Sequence, residues 1–271
     1  MHLAELYAKL LRSGRGEDRG LSARTVGHVH RVLHRAFGHA ATWGIVQQNV
    51  AALVSPPRVV ATEISILSED QIAKVLRHLE GRILRPIVAL ALATGARRGE
   101  LLALRWKDLD LDAGTIKIER SLEQIHGALR FKAPKIKNGR RKISVPPWIV
   151  AELRAHRLVQ QERRLKLGMG RAPDDSLVFA RWDESTRAPH WLTQKFAMAM
   201  MALKIEGVTL HSLRHTHASQ LIAAGMDVLT ISRRLGHGSP TITLAVYGHL
   251  FGNTDARAAE IMEATFSKVR Q

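Results

Sequence analysis

Apolar positions along this chain repeat first at helical spacing, then at every second residue, then at helical spacing again. From Ser22, a good cap, the residues Val26, Val29, Leu33, Phe37 and Ala40 fall on one helical face, with Gly44 just past the end. Arg24, Arg31 and Arg35 lie off that face, where they are either solvated surface or contacts for backbone phosphates. Asn49 caps a short helix that Pro56 and Pro57 stop. The stretch RVVATEISI reads as a linker, after which Ser68 and Gln71 make a capping-box pair before an apolar helical run. Helices continue over residues 83–104. TIKIER, ALRFK and RKISVP then alternate apolar with polar, with turns at Gly114, Gly127 and Gly139, the pattern of a small three-stranded antiparallel sheet. From Pro147 the chain is mostly helical, broken near RAPDD and STRAPH. The expected fold class is mainly α: a helical piece over residues 1–58, a linker over 59–66, and an α-rich domain with a small sheet over 67–271.

Charge changes the picture more than composition does. Lys and Arg number 41 against 24 Asp and Glu, a net charge of +17 that implies a polyanionic partner, of which double-stranded DNA is the simplest. No stretch approaches the roughly 20 apolar residues of a membrane span, and the first twenty residues, a short polar segment, lack a signal-peptide core, so an intracellular, cytoplasmic protein is expected. The absence of cysteine excludes disulfides and thiol catalysis.

The informative chemistry is polar and concentrated near the end: His211 and Arg214 in HSLRH, His237 in RRLGH and Tyr247 in AVYGH, joined by Arg97 in TGARRGE. Together they make a site for attacking a phosphodiester with a tyrosine. A phenol with a pKa near ~10 is about one part in a thousand ionised at neutral pH, so it needs help. Arg97 and Arg214 each offer a planar fork of donors to phosphate oxygens, neutralising the charge that builds in a pentacoordinate transition state. His211 and His237 suit proton handling and oxygen donation near neutrality. Two arginines in this role make a metal ion unnecessary, so no metal or other cofactor is expected.

The spacing carries a family resemblance. HSLRHTHASQLIAAGMDVLTISRRLGHGSPTITLAVYGHL resembles the second signature box of the tyrosine recombinases, the phage integrase family, and TGARRGELLALRWKDLDL resembles the first. One HxxR is weak evidence. An HxxR followed by LGH 23 positions on, from Arg214 to His237, and by a tyrosine 10 further, all downstream of TGxRxxE, is specific. The resemblance implies a DNA strand transferase with the family's catalytic fold, a site-specific recombinase or integrase working through a 3′-phosphotyrosine. Carried over, Arg97 and Arg214 bind the phosphate, His211 is the general acid/base partner, His237 supports the phosphate and Tyr247 is the nucleophile. Tyr7, the other of the two tyrosines, has no matching neighbours. The family's acid for the leaving 5′ oxygen is a lysine in a β-hairpin, and FKAPKIKNGRRKISVP resembles that hairpin, with Lys135 first and Lys137 and Lys132 as competitors. Glu100 resembles a family acidic residue that orients an arginine.

The resemblance further implies a homotetramer on DNA, joined through a C-terminal helix with Ala258, Ile261, Met262, Phe266 and Val269 on one stripe; that stripe equally suits packing on its own domain. It also implies a nucleoid-associated protein of bacterial or phage origin, working with accessory DNA-bending proteins. LSARTVGHVHRVLHRAFGHAATWGIVQQNVAALVSPP resembles the latter half of a core-binding domain, so residues 1–58 are expected to form a partial one and a reduced clamp around DNA. Three other readings compete. His211, His215 and His217 suggest a metal cluster, but Ser212 stands where a zinc protease has its glutamate, and His215 and His217 suit helix packing. DVLTISRRLGHGSPTITLAVYGHL resembles a helix-turn-helix reader, which leaves TGARRGE unexplained. A type IB topoisomerase shares the chemistry but not the LGH box or the C-terminal extension.

Overall fold

The computed structural model describes residues 2–15, 19–60, 64–134, 139–251 and 255–267, with 255–258 as backbone alone. The chain divides into two compact units, residues 1–63 and 64–271.

In the first unit, α1 (Leu3–Ser13) and α2 (Ala23–Thr42) precede a single 3₁₀ turn at Val50–Leu53. Ser22 caps α2 by accepting the Thr25 N–H at 3.2 Å, and Asn49 caps the short turn by accepting the Ala51 N–H at 3.1 Å. The Asn49 amide also donates to the His34 carbonyl at 2.8 Å, tying that turn to α2. The opening segment is a helix rather than a short polar stretch. Leu3, Leu6, Tyr7 and Leu10 share a face, Tyr7 is buried, and its hydroxyl meets His30 Nδ1 of α2 at 2.9 Å. Its many charged neighbours mask a periodicity that only packing against α2 makes decisive.

The second unit opens with α3 (Glu69–His78), whose Ser68 and Gln71 close both bonds of the expected capping box. Next comes α4 (Leu84–Thr94), buried along nearly its whole length, then the short α5 (Arg98–Leu102). The sheet differs in detail from the alternation. β1 (Leu109–Asp110), β2 (Thr115–Ile118) and β5 (Arg141–Ser144) form the three-stranded antiparallel sheet, with Ile116 opposite Ile143. ALRFK is in none of its strands: β4 (Ala128–Lys132) pairs only with β3 (Ser121–Ile125) in a separate hairpin. The reason is burial. Apart from the partly buried Lys132, every residue of β4 is exposed, so its alternation reports no core face, whereas the true third strand is two residues long and too short to show a period.

The remaining helices are α6 (Pro147–Lys166), α7 (Pro189–Ala202), α8 (Ser212–Ala223), α9 (Val228–Leu235), α10 (Pro240–Tyr247) and α11 (Asp255–Ser267). One core joins α3, α4, α5, the three-stranded sheet, α6 and α7 to the start of α8; a smaller cluster of Ala218, Ile222, Ile231, Leu235 and Tyr247 holds α8, α9 and α10 together. Where α4 ends, Gly95 takes φ +63°, and a Cβ there would sit 2.7 Å from Leu235 and 2.8 Å from His217, so only glycine allows α4 this close to α8 and α9.

His217 pins that junction. Its Nδ1 meets the Leu92 carbonyl at 2.8 Å, and Arg234 Nε donates to its Nε2 at 3.0 Å, so the ring is neutral with its proton on Nδ1. Burial and the Arg234 charge, against the Leu92 bond, bring its pKa down to about 4. The unfolded chain takes up that proton near ~6.5 and the folded chain only near the lower value, so stability is present above ~6.5 and lost as pH falls toward 4. At about 1.4 kcal/mol per pKa unit, the loss is on the order of 3 kcal/mol for this residue. His217→Gln is therefore expected to lower stability at pH 7 but to flatten the fall between pH 6.5 and 4, read from urea midpoints. Equal slopes in both proteins would mean that the folded state accommodates the charged ring.

Candidate active site

The first functional segment gets its shape from the glycine that ends α4. The chain leaves Gly95 extended, and Arg97 becomes the residue that precedes the first turn of α5. Glu100, at the third position of that helix, accepts the Arg97 backbone N–H at 2.8 Å and the Arg97 Nη1 at 2.9 Å, while Arg97 Nη2 donates to the Gly236 carbonyl at 3.1 Å. The Glu100 carboxylate is buried and takes two more bonds from Arg141 of β5, at 2.7 and 3.2 Å. Burial by itself would raise its pKa; the Arg141 bonds and charge, with those of Arg97, hold it below the ordinary range instead. Glu100 is thus an ionised counter-charge between two arginines and is not available as a base.

Arg214 comes from the first turns of α8 and is almost fully buried. Its Nη1 donates to the Gly95 carbonyl at 2.7 Å, and its buried Nη2 has no hydrogen-bond partner among the described residues. Burial, and then the Arg97 charge, bring its pKa down to about 9, so it remains cationic at neutral pH. His211 is exposed just before α8; desolvation and the charges of Arg214 and Arg97 lower its pKa. Arg97, His211 and Arg214 line one cleft of about 510 Å³ with Arg98, Ser121 and Thr193. Arg98 donates to the Thr193 hydroxyl at 2.6 Å across this cleft.

The third part arrives on α9 and α10. Gly236 ends α9 in the left-handed conformation at φ +66°, which turns the chain so that its carbonyl reaches Arg97 and His237 follows it inward. His237 is buried, with Nδ1 2.8 Å from the Thr243 hydroxyl; burial and the Arg214 and Arg97 charges bring its pKa down to about 4. Tyr247, the last residue of α10, is 2 % exposed, and its hydroxyl lies 2.7 Å from Nδ1 of His215. Burial pushes the phenol up to about 12, against the pull of Arg214; burial, His211 and Arg214 bring His215 down to about 4.

The structure therefore gathers Arg97, Glu100, His211, Arg214, His237 and Tyr247 from four elements into one neighbourhood. Lys132 is held in an ion pair with Glu123 at 2.9 Å, while Lys135 and Lys137 lie outside the described residues. Arg24, Arg31 and Arg35 are exposed on α2 in the first unit. Sequence reasoning missed Arg141 and treated His215 as a packing residue. Arg141 is hidden in a run of three basic residues, Arg140 to Lys142, whereas His215 carried a usable signal, four positions after His211 on the same helical face. Those two rings stand edge to face at 4.8 Å, and among the described residues no group of three or more His, Cys, Asp or Glu side chains is placed to hold a metal ion.

Known proteins resemble this chain over most of its length. The phage integrase family matches residues 65–253. A protein described as tyrosine recombinase XerC-like, from Caldanaerobacter subterraneus subsp. tengcongensis, is 27% identical over 98% of this chain and 71% of its own length. The ICEBs1 integrase of Bacillus subtilis is 28% identical over 91% of this chain and 67% of its own. Among solved structures, the Tn1549 transposon integrase in complex with transposon right end DNA superposes with a TM-score of 0.78 at 21% identity, covering 98% of this chain and 86% of that one. A lambda integrase dimer bound to a COC′ core site gives a TM-score of 0.62 at 19% identity, over 89% and 79%. At these identities the structures establish the shared fold, mainly α with a small antiparallel sheet, and the family match extends through both segments that build the cleft. The chain belongs to the phage integrase family, the tyrosine recombinases.

Proposed function

We propose that this chain is a site-specific DNA recombinase that cuts and rejoins strands of double-stranded DNA through a 3′-phosphotyrosine, with Tyr247 as the nucleophile. The observation that carries this reading is the buried Nη2 of Arg214, unpartnered among the described residues, on an arginine that lines a cleft with Arg97 and whose charge reaches Tyr247. Leaving a buried guanidinium donor unsatisfied costs a few kcal/mol, and a phosphodiester oxygen is an acceptor of the right charge for it.

Tyr247 Oη attacks phosphorus, its proton passes to His211 as the new O–P bond forms, and the bond from phosphorus to the 5′ oxygen breaks. Arg97 and Arg214 hold the two non-bridging oxygens, His237 supports them, and His211 serves as acid/base partner. A lysine of the hairpin segment, Lys135 before Lys137 or Lys132, gives the leaving oxygen its proton. One phosphodiester replaces another, so the reaction needs no energy source, and with two guanidiniums taking the charge it needs no metal. The reverse attack by a 5′ hydroxyl from another strand completes the exchange. A helix-turn-helix regulator has no use for the Arg97, Glu100 and Arg141 network, and is not favoured.

Residues 1–58 act as a partial core-binding domain, in which Arg24, Arg31 and Arg35 meet backbone phosphates; residues 67–271 are the catalytic domain. The active form is a homotetramer on two duplexes in the bacterial cytoplasm, at the nucleoid, aided by accessory DNA-bending proteins. Assembly runs through α11, where Ile261, Met262 and Phe266 each stay about half-exposed; Ala258 and Val269 of the predicted stripe lie outside the described side chains. No helix among the described residues is long and apolar enough to cross a membrane.

Two outcomes test this reading. On a duplex nicked beside the cleavage site, the protein should form a covalent adduct that persists in EDTA and maps by peptide mass to Tyr247; Tyr247→Phe should bind DNA and form none. An adduct at Tyr7, or one surviving the substitution, contradicts the assignment. Lys135→Ala should cleave an ordinary phosphodiester about 10²-fold or more slowly, yet cut a 5′-bridging sulfur substrate almost normally, because a leaving thiolate hardly needs a proton. Equal loss on both substrates moves the role to Lys137 or Lys132.

A further inference from the structure

The arrangement around Tyr247 assigns a role to a residue that the phosphate clamp does not use. We infer that His215 is a positioning residue for the nucleophile: its Nδ1 accepts the Tyr247 hydroxyl proton in a hydrogen bond and so sets which side of the phenolic oxygen is free to attack. This rests on the reading of Tyr247 as the nucleophile.

Among the described residues the Tyr247 hydroxyl makes one hydrogen bond, to His215 Nδ1 at 2.7 Å, and the two rings meet edge to face with centroids 5.6 Å apart. A neutral phenol is a better donor than an imidazole N–H and a weaker acceptor than an imidazole nitrogen, so the O–H donates and Nδ1 accepts. The ring proton of His215 is then on Nε2. With its hydrogen fixed toward α8, the phenolic oxygen keeps its lone pairs for a phosphorus atom held by Arg214.

The helix makes this a fixed relation, because Arg214 and His215 are consecutive. Arg214 is anchored by the Gly95 carbonyl at 2.7 Å, and Thr216 and His217 are tied to Leu67 at 3.0 Å and Leu92 at 2.8 Å. Clamp and orienting acceptor therefore cannot shift independently, and the burial of Tyr247 keeps water from replacing His215 as its acceptor. Orientation, rather than proton removal, is the function the magnitudes allow. Burial raises the phenol and lowers the imidazole, so in the free protein the proton stays on Tyr247.

Single-turnover cleavage of the nicked duplex separates the possibilities. His215→Asn places a carbonyl oxygen near the position of Nδ1, accepting the same hydrogen bond without titrating, and should cleave within about fivefold of the unsubstituted protein. His215→Leu has no acceptor and should cleave about 10- to 100-fold more slowly, with DNA affinity unchanged. Normal cleavage by the leucine variant overturns the inference, and so does an asparagine variant as slow as the leucine one, which would make His215 the base. If either variant fails to fold, ¹⁵N imidazole spectra of the unsubstituted protein and Tyr247→Phe decide: the histidine most changed should have an unprotonated Nδ1 in the former, and a protonated Nδ1 there overturns the inference. An adduct formed by Tyr247→Phe would instead remove the reading of Tyr247 as nucleophile, a separate failure.

Discussion

Burying a guanidinium costs several kcal/mol unless its charge is met, and this site buries the side chains of two, Arg141 and Arg214, beside a third at the cleft wall, Arg97. The carboxylate bonded among them is Glu100. It bonds Arg97 and Arg141, and Arg214 is left with a backbone carbonyl and a buried nitrogen unpartnered among the described residues. Burial first, and then the local excess of positive charge, depresses the pKa values of Arg214, His211, His215 and His237. A folded protein tolerates such an excess when an anion relieves it, and a phosphodiester has the charge and the pair of oxygens to do so. Burial and the same field keep His237 and His211 neutral, so that each offers hydrogen bonds and not a further charge.

Geometry is imposed on that charge by α8. In Arg214, His215, Thr216 and His217, four consecutive side chains reach four different places: Gly95, Tyr247, Leu67 and Leu92. A helix turns about 100° per residue, so four successive polar side chains point outward in every direction, and such a helix must be surrounded on all sides. Here α4 and the glycine after it cover one side and α9 and α10 another, which is why Gly95 and Gly236, both in the left-handed conformation, stand where the backbone must turn sharply and expose a carbonyl to an arginine. Arg214, Tyr247 and the core are thereby joined through one short segment.

Much of this was legible in the sequence, and the limits are instructive. Ser22, Asn49 and the Ser68 and Gln71 pair cap helices as their side chains suggest, because capping is local chemistry. The residues of the cleft were legible through their spacing, which the family resemblance turned into roles. The strand order was not, since exposed β4 alternates like a core strand and two-residue β1 has no pattern to read. Nor was Arg141, one basic residue among many, whose partner is 41 positions away. His215 was underestimated because a histidine on a buried helix is ordinarily packing, and only the tertiary approach of α10 makes it the partner of Tyr247.

If the surplus charge exists to neutralise a phosphate, then removing the charge from the phosphate should remove the need for the arginine. The measurement is the rate of strand cleavage by the protein and by Arg214→Ala, each on a nicked duplex carrying either the normal phosphodiester or a neutral methylphosphonate at the cleavage position. The account predicts a loss of about 10²-fold or more for Arg214→Ala on the phosphodiester, and cleavage within roughly tenfold of the unsubstituted protein on the methylphosphonate. An equal loss on both substrates would contradict it, and would make Arg214 a residue that shapes the site without carrying the charge.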